Sequence, residues 1–167
     1  AFGLGIIYLN HSIEQTVLSN YGSAIEREIE GRRQIFDGEM LLNTRNLKLM
    51  YSTPPIQGIA RATRSQGIDP YDGTTLDEWY ARLQAIFVGL LNNQPSIQQI
   101  RLLREEGEGL ELVRVERDGA GVKVVSEKFL QKKRNRLKYQ EAKKLSTGED
   151  YVSPIEYNRE YGKLVFP

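Results

Sequence analysis

The 167 residues carry 23 Lys+Arg against 22 Asp+Glu, a formal charge of +1 at pH 7, with 40% hydrophobic and 27% charged residues. That balance belongs to a folded domain and excludes disordered and low-complexity classes, while near-neutrality leaves no global field for nucleic acid or anionic lipid. The absence of cysteine excludes disulfides, thiolate catalysis and cysteine-based zinc sites.

A chain of this length makes one core plus an extension. The extension comes first. Ala1 to Leu9 is almost wholly apolar yet far shorter than the roughly 20 residues a membrane span needs, and no Lys or Arg precedes Arg27. This reads as the truncated, non-cytoplasmic end of a spanning helix, which places the remainder outside the cytoplasm; the alternative is a buried first helix of a soluble domain. From residue 12 to 51 there is no proline, and Leu18, Ile25, Ile29, Phe36, Met40, Leu47 and Tyr51 follow one another at gaps of seven or four. Such spacing predicts one long helix with a single apolar stripe, lying along a domain or pairing with a twin. Pro54-Pro55 ends it, and Ile56, Ile59, Ala60 and Thr63 predict a short helix closing near Gly67.

Asp69-Pro-Tyr-Asp-Gly73 is turn chemistry, and Thr75 with Glu78 has the spacing of a capping box. In the helix that follows, Leu76, Trp79, Tyr80, Leu83, Phe87, Leu90 and Leu91 recur at three- and four-residue steps, so Trp79 and Phe87 read as core. After Pro95 the pattern turns to strands over residues 97–103, 110–116 and 122–125, with Asp118-Gly119-Ala-Gly121 as a hairpin turn. Residues 128–146 read as a basic loop and helix, 151–157 as a strand and 162–166 as a short last strand. Helices first and a meander of strands second predict an α+β fold with a PAS-like antiparallel sheet flanked by helices.

Constellations for chemistry are sparse. His11 has no second histidine or cysteine with which to share a metal. No Walker loop, nucleophile elbow or dinucleotide fingerprint occurs, and no cofactor is expected. Gly107-Glu-Gly109 is spaced for a turn; Glu105, Glu106 and Glu108 resemble paired acids only superficially, since a connection between strands is easily solvated. Asp69 and Asp72 lack the further oxygen ligands of a calcium loop. Arg101 falls on a strand, facing either a pocket or solvent. The stretch Lys128-Phe-Leu-Gln-Lys-Lys-Arg-Asn-Arg-Leu-Lys-Tyr139 interleaves cations with aromatic rings. It is suited either to holding the carboxylate of a small ligand or to forming a plain solvated face.

Several segments together resemble the PAS-like double-Cache sensor regions of bacterial histidine kinases and diguanylate cyclases. These are Pro55-Ile-Gln-Gly-Ile-Ala-Arg61, Asp69-Pro70, Trp79-Tyr-Ala-Arg-Leu83, Ile86-Phe87, Gln99-Ile-Arg101 and Tyr151-Val-Ser-Pro-Ile-Glu-Tyr-Asn-Arg-Glu160. The resemblance implies a periplasmic sensor domain over residues 53–167, membrane-anchored in its parent protein. It also implies a signalling helix over residues 1–52 at a homodimer interface, a small-molecule pocket, and no catalysis or nucleic-acid binding. Such regions continue into further strands, a second smaller unit and another membrane helix, which have no counterpart before Pro167, so the chain reads as part of one. Their amino-acid-binding motif is not clearly present, although Arg134, Arg136, Tyr139, Tyr151 and Ser153 occupy the helix-to-strand region that lines the pocket in these folds.

Overall fold

In the computed structural model, backbone is described for residues 2–119, 121–154, 158–160 and 163–165, and side chains for 15–119 and 121–154. The chain divides into two units, Ala1–Leu47 and Lys48–Pro167. The first consists of helix α1 (Phe2–Tyr51), which runs on into the second. Gly22, Gly31 and Gly38 do not interrupt it, and none of residues 15–47 is buried. Its charged flank is internally paired, Arg32 with Glu28 at 2.8 Å and Arg33 with Asp37 at 3.7 Å. Among the described residues no helix is long and apolar enough to cross a membrane.

The second unit takes in the last turn of α1, which stops at Tyr51. Ser52 Oγ and Thr53 Oγ1 donate to the carbonyls of Leu49 and Met50, and Pro54 and Pro55 open α2 (Pro54–Arg64), where missing amide protons are harmless. One face of α2 buries Pro55, Gly58, Ile59 and Ala62 against α3 (Leu76–Asn93). Helix α3 starts at the expected capping box. Glu78 N–H donates to Thr75 Oγ1, and Thr75 N–H donates back to Glu78 Oε2. The α3 residues Trp79, Leu83, Phe87 and Leu91 form one buried stripe at four-residue steps, packed with Ile59, Ala62, Val113 and Val115 into the core.

The sheet against α3 has three antiparallel strands in the order β1 (Gln99–Leu103), β2 (Glu111–Asp118), β3 (Gly121–Val124). Asp118 pairs with Gly121 across the expected hairpin. Arg117 joins sheet to helix, donating at 2.9 Å to the carbonyls of Ile97 and Gln94 just past α3 and also to that of Leu91, in the last turn, where a helix leaves its carbonyls open. A short left-handed element, α4 (Glu106–Gly109), connects β1 to β2. After a 3-10 turn at Glu127–Phe129 comes α5 (Leu137–Ala142), and then a two-stranded pair, β4 (Asn158–Glu160) with β5 (Lys163–Val165).

The α+β expectation holds. The strand predicted over 151–157 does not begin where expected. Residues 151–154 make no strand, in keeping with a proline at 154 that offers no amide to a ladder; 155–157 lie outside the described residues, and strand structure starts at Asn158.

The link between α2 and α3 is tied by Asp69, whose side chain is fully buried. Arg61 grips both its oxygens, at 2.8 and 2.7 Å, Trp79 Nε1–H donates at 3.1 Å and Tyr71 N–H at 3.0 Å. The Arg61 hydrogen bond is the largest cause holding the Asp69 carboxyl down at about 2 against its ordinary 3.8. A folded-state value below the unfolded one means that Asp69 stabilises the fold fully above about pH 4 and loses that contribution as pH falls towards 2. Asp69→Asn should therefore lower the melting temperature at pH 7 and flatten its decline between about pH 4 and 2, as read by circular dichroism.

Two glycines should respond oppositely to alanine. A Cβ at Gly58 would overlap the Trp79 ring, whereas one at Gly89 meets nothing within 4 Å. In urea denaturation, Gly58→Ala should cost about 1–3 kcal/mol, and Gly89→Ala should stabilise α3 by up to about 1 kcal/mol.

Candidate functional site

The sheet has one apolar face, on α3, and one charged face. Register places Arg101 of β1 directly opposite Arg114 of β2, and Gln99 opposite Glu116. Two arginines facing each other across strands repel, so this pairing needs an acid between them. A bulge supplies it. Leu102 pairs with Val113 but Leu103 with Glu111, leaving Leu112 as the extra residue, packed against the core, while Glu111 turns to the charged side.

Glu111 is fully buried and is the centre of the cluster. Arg101 Nη1 lies 2.9 Å from its Oε1, Lys133 Nζ 3.4 Å from the same oxygen, and Arg114 Nη1 3.7 Å from Oε2, which also accepts the Gln131 N–H at 3.0 Å. Arg114 also donates to Glu116, and Arg101 to Gln99 Oε1. Lys123 Nζ, 3.5 Å from Glu116, extends the network to β3. The side chains of Arg114 and Lys133 are only 4% and 7% exposed. Buried cations are tolerated because the carboxylates meet them.

Residues 131–134 run beside the start of β2. Glu111 N–H donates to Gln131 O, Lys133 N–H to Gly109 O, and Arg134 N–H to Glu108 O, at 2.9 to 3.0 Å. Side chains of an extended segment alternate. Lys133 therefore points inward to Glu111, while Lys132 and Arg134 point outward to Glu108, at 2.7 and 3.3 Å. The hydrogen bond and charge of Lys132, and after them the hydrogen bond and charge of Arg134, hold the Glu108 carboxyl below its ordinary range. Glu108, Lys132, Arg134 and Asn135 line an open depression of about 440 Å³.

Glu108 sits in α4 at φ +67°, between Gly107 and Gly109 at +67° and +68°. Glycine adopts this left-handed backbone freely; a glutamate there is strained. Tyr139 covers the turn from α5. Its hydroxyl donates to Glu105 O at 2.8 Å, and its ring lies so close to Gly109 that a Cβ there would come within 2.7 Å of it.

Of the residues expected at a pocket, the structure brings Arg134 and Tyr139 to this turn. Arg136 stands at the N-cap of α5, and its carbonyl accepts the amides of Tyr139 and Gln140. Tyr151 and Ser153 are half-buried in an irregular stretch, and neither they nor Arg136 line the depression. Arg101 faces the charged cluster. Sequence reasoning set Glu108 aside as a solvated loop acid and missed Glu111. The available signals were the two glycines around Glu108 and the position of Glu111 between Leu110 and Leu112. The described residues contain no group of three acids or histidines that would hold a metal ion, and the side chain of His11 lies outside the described residues.

Among solved structures, the chain is similar to a domain of a sensory box/GGDEF family protein from Vibrio parahaemolyticus, with 20% identity and a TM-score of 0.59. The match covers 80% of this chain and 44% of that one, so this chain spans less than half the length of the structure it resembles. No family model matches the chain, and no curated protein sequence does. What is shared is the fold, and the fold is PAS-like.

The two acids of the site should behave differently on neutralisation. Glu111→Gln leaves buried cations undercompensated and should cost about 3–5 kcal/mol in urea denaturation. Glu108→Gln breaks only exposed pairs and should leave the transition midpoint unchanged within error.

Proposed function

We propose that the chain is the extracytoplasmic, double-Cache-like sensor domain of a bacterial transmembrane receptor. It binds a small anionic solute at the Glu108 depression and signals through α1, paired in a homodimer, to a histidine kinase or diguanylate cyclase output. The observation that carries this reading is the PAS-like fold shared with a domain of a sensory box/GGDEF protein. Catalysis is not part of the proposal. Its site is the rim where Lys132 and Arg134 flank about 440 Å³ of open space, a guanidinium and an ammonium suited to a carboxylate.

Glu108 already occupies those cations, so an incoming carboxylate competes with it. Release of Glu108 frees a strained residue, and movement of Lys132 and Arg134 is carried by the same backbone to Lys133 and the buried Glu111. The solute thereby favours one arrangement of the strand edge over another, which is what a binding event needs in order to signal. Arg134 contacts the ligand directly in this scheme, and Tyr139 positions the turn. Arg136, Tyr151 and Ser153 belong to the same surface segment and contribute only if it closes over the ligand.

One observation favours a second reading. Because Glu108 neutralises Lys132 and Arg134 internally, the site is self-satisfied, as in a structural dimerisation module that senses a protein partner. A thermal-shift screen of the chain against carboxylates, amino acids, amines and sugars separates the two. On the sensor reading a carboxylate at a hundred times its Kd adds about 2.7 kcal/mol of stability. Arg134→Ala abolishes the shift, and Glu108→Gln lowers the concentration needed. A flat response to the whole panel, with Glu108→Gln equally flat, would favour the structural module.

A further inference from the structure

From Leu18 to Leu47 the stripe on α1 is spaced 7, 4, 7, 4, 7, through Ile25, Ile29, Phe36 and Met40. Seven plus four is an eleven-residue repeat, and its consequences differ from those of a heptad. At the 3.6 residues per turn of a straight helix, a heptad seam drifts about 20° per repeat in one sense and an eleven-residue seam about 20° in the other. Here the six positions stay within an arc of about 60° over roughly 44 Å of helix. The stripe needs no left-handed winding to remain on one face.

Five of its six residues are exposed and Met40 is half-buried. Leu18 is 70% exposed, Ile29 61% and Leu47 60%, and Ile25 and Phe36 are exposed to a similar degree. A single helix of this kind, with none of residues 15–47 buried, draws little stability from its own hydrogen bonds and depends on packing of its apolar face. Covering the six residues on two helices removes at most roughly 1,200 Å² from water, the lower edge of the range of a specific protein interface.

Resting on the homodimer proposed above, we infer that its two α1 helices meet along this eleven-residue stripe, parallel and in register, straight or weakly right-handed rather than wound as a left-handed coiled coil. A repeating stripe matches itself layer by layer, which an unrelated partner would have to imitate. The flanking charges permit the approach, because Arg32 and Arg33 are already paired within their own helix to Glu28, Glu30 and Asp37. The spacing reads the same in both directions; the parallel sense rests on the reading of α1 as a signalling helix, since two copies anchored in one membrane run the same way. A second apolar line, Ile35 and Leu42, is seven-spaced and lies on another face about 100° away. It is the seam that a left-handed pair would use.

The chain has no cysteine, so single cysteines report cleanly. Ile25→Cys, Ile29→Cys, Phe36→Cys and Met40→Cys in the full chain, oxidised with copper phenanthroline and run on non-reducing gels, should each give disulfide dimers. Ile35→Cys and Leu42→Cys should give at least tenfold less. In sedimentation, Ile29→Asp should lower the dimer fraction, and Ile35→Asp should not. Crosslinking strongest at 35 and 42 would overturn the eleven-residue seam while leaving the homodimer in place. Crosslinks only between mixed Ile25→Cys and Met40→Cys chains would make the pair antiparallel and overturn the signalling geometry. A chain that is monomeric at the highest concentration reached and crosslinks nowhere would overturn the pairing altogether, without touching the solute-binding part of the proposal.

Discussion

The charged side of this domain depends on one buried carboxylate. Without Glu111, register would set Arg101 against Arg114 across a strand pair with Lys133 beside them, three cations on a face largely closed to water. A carboxylate completely removed from water is itself expensive. It is stable only because it accepts from arginine, lysine and a main-chain amide together. The bulge at Leu112 follows from the same requirement, since an unbroken ladder would have turned residue 111 to the wrong face. Sheet geometry and ion chemistry fix each other here.

Asp69 does comparable work at the other end of the core, with a different balance. Its partners are neighbours along the chain, eight residues back to Arg61 and ten on to Trp79, and they close one local loop around the junction of two helices. Glu111 gathers donors from β1, β2 and the segment after β3, so it can form only when distant parts of the chain have met. One carboxylate organises a corner and the other organises the tertiary fold. Between them lies the apolar layer of Trp79, Leu83, Phe87, Val113 and Val115.

That division accounts for what the sequence disclosed. Periodicity revealed the long helix, the α3 stripe with Trp79 and Phe87 in the core, the capping box at Thr75 and the hairpin at Asp118, because each is encoded within a few turns or residues. The Arg61–Asp69–Trp79 contact stayed hidden although it is short in sequence: the stretch was read as a turn, and the turn is real, but a turn pattern does not say what an aspartate side chain reaches. Glu111 was less accessible still. Its nearest charged neighbours in sequence are other surface-like residues, and only the bulge and the return of Gln131 and Lys133 make it interior. Of the expected pocket residues, Arg134 and Tyr139 gather at the α4 turn because the chain there runs beside β2. Tyr151 and Ser153 were expected there because the helix-to-strand region lines the pocket in the resembled folds, and residues 151–154 form no strand that would aim them.

The position of Glu108 then follows from its surroundings. A left-handed turn with glycine on both sides would be simplest with glycine in the middle as well; the glutamate stands there against a backbone cost, held by cations whose own neighbour, Lys133, is committed to the interior. Inward and outward contacts on residues 132 to 134 are therefore of unequal strength. Those to Glu111 are buried and hard to exchange, and those to Glu108 are open to solvent and readily exchanged. A segment fixed on one face and labile on the other can be displaced at its rim without unfolding the sheet beneath, so the proposed competition by a soluble anion falls on the exposed acid, not the buried one.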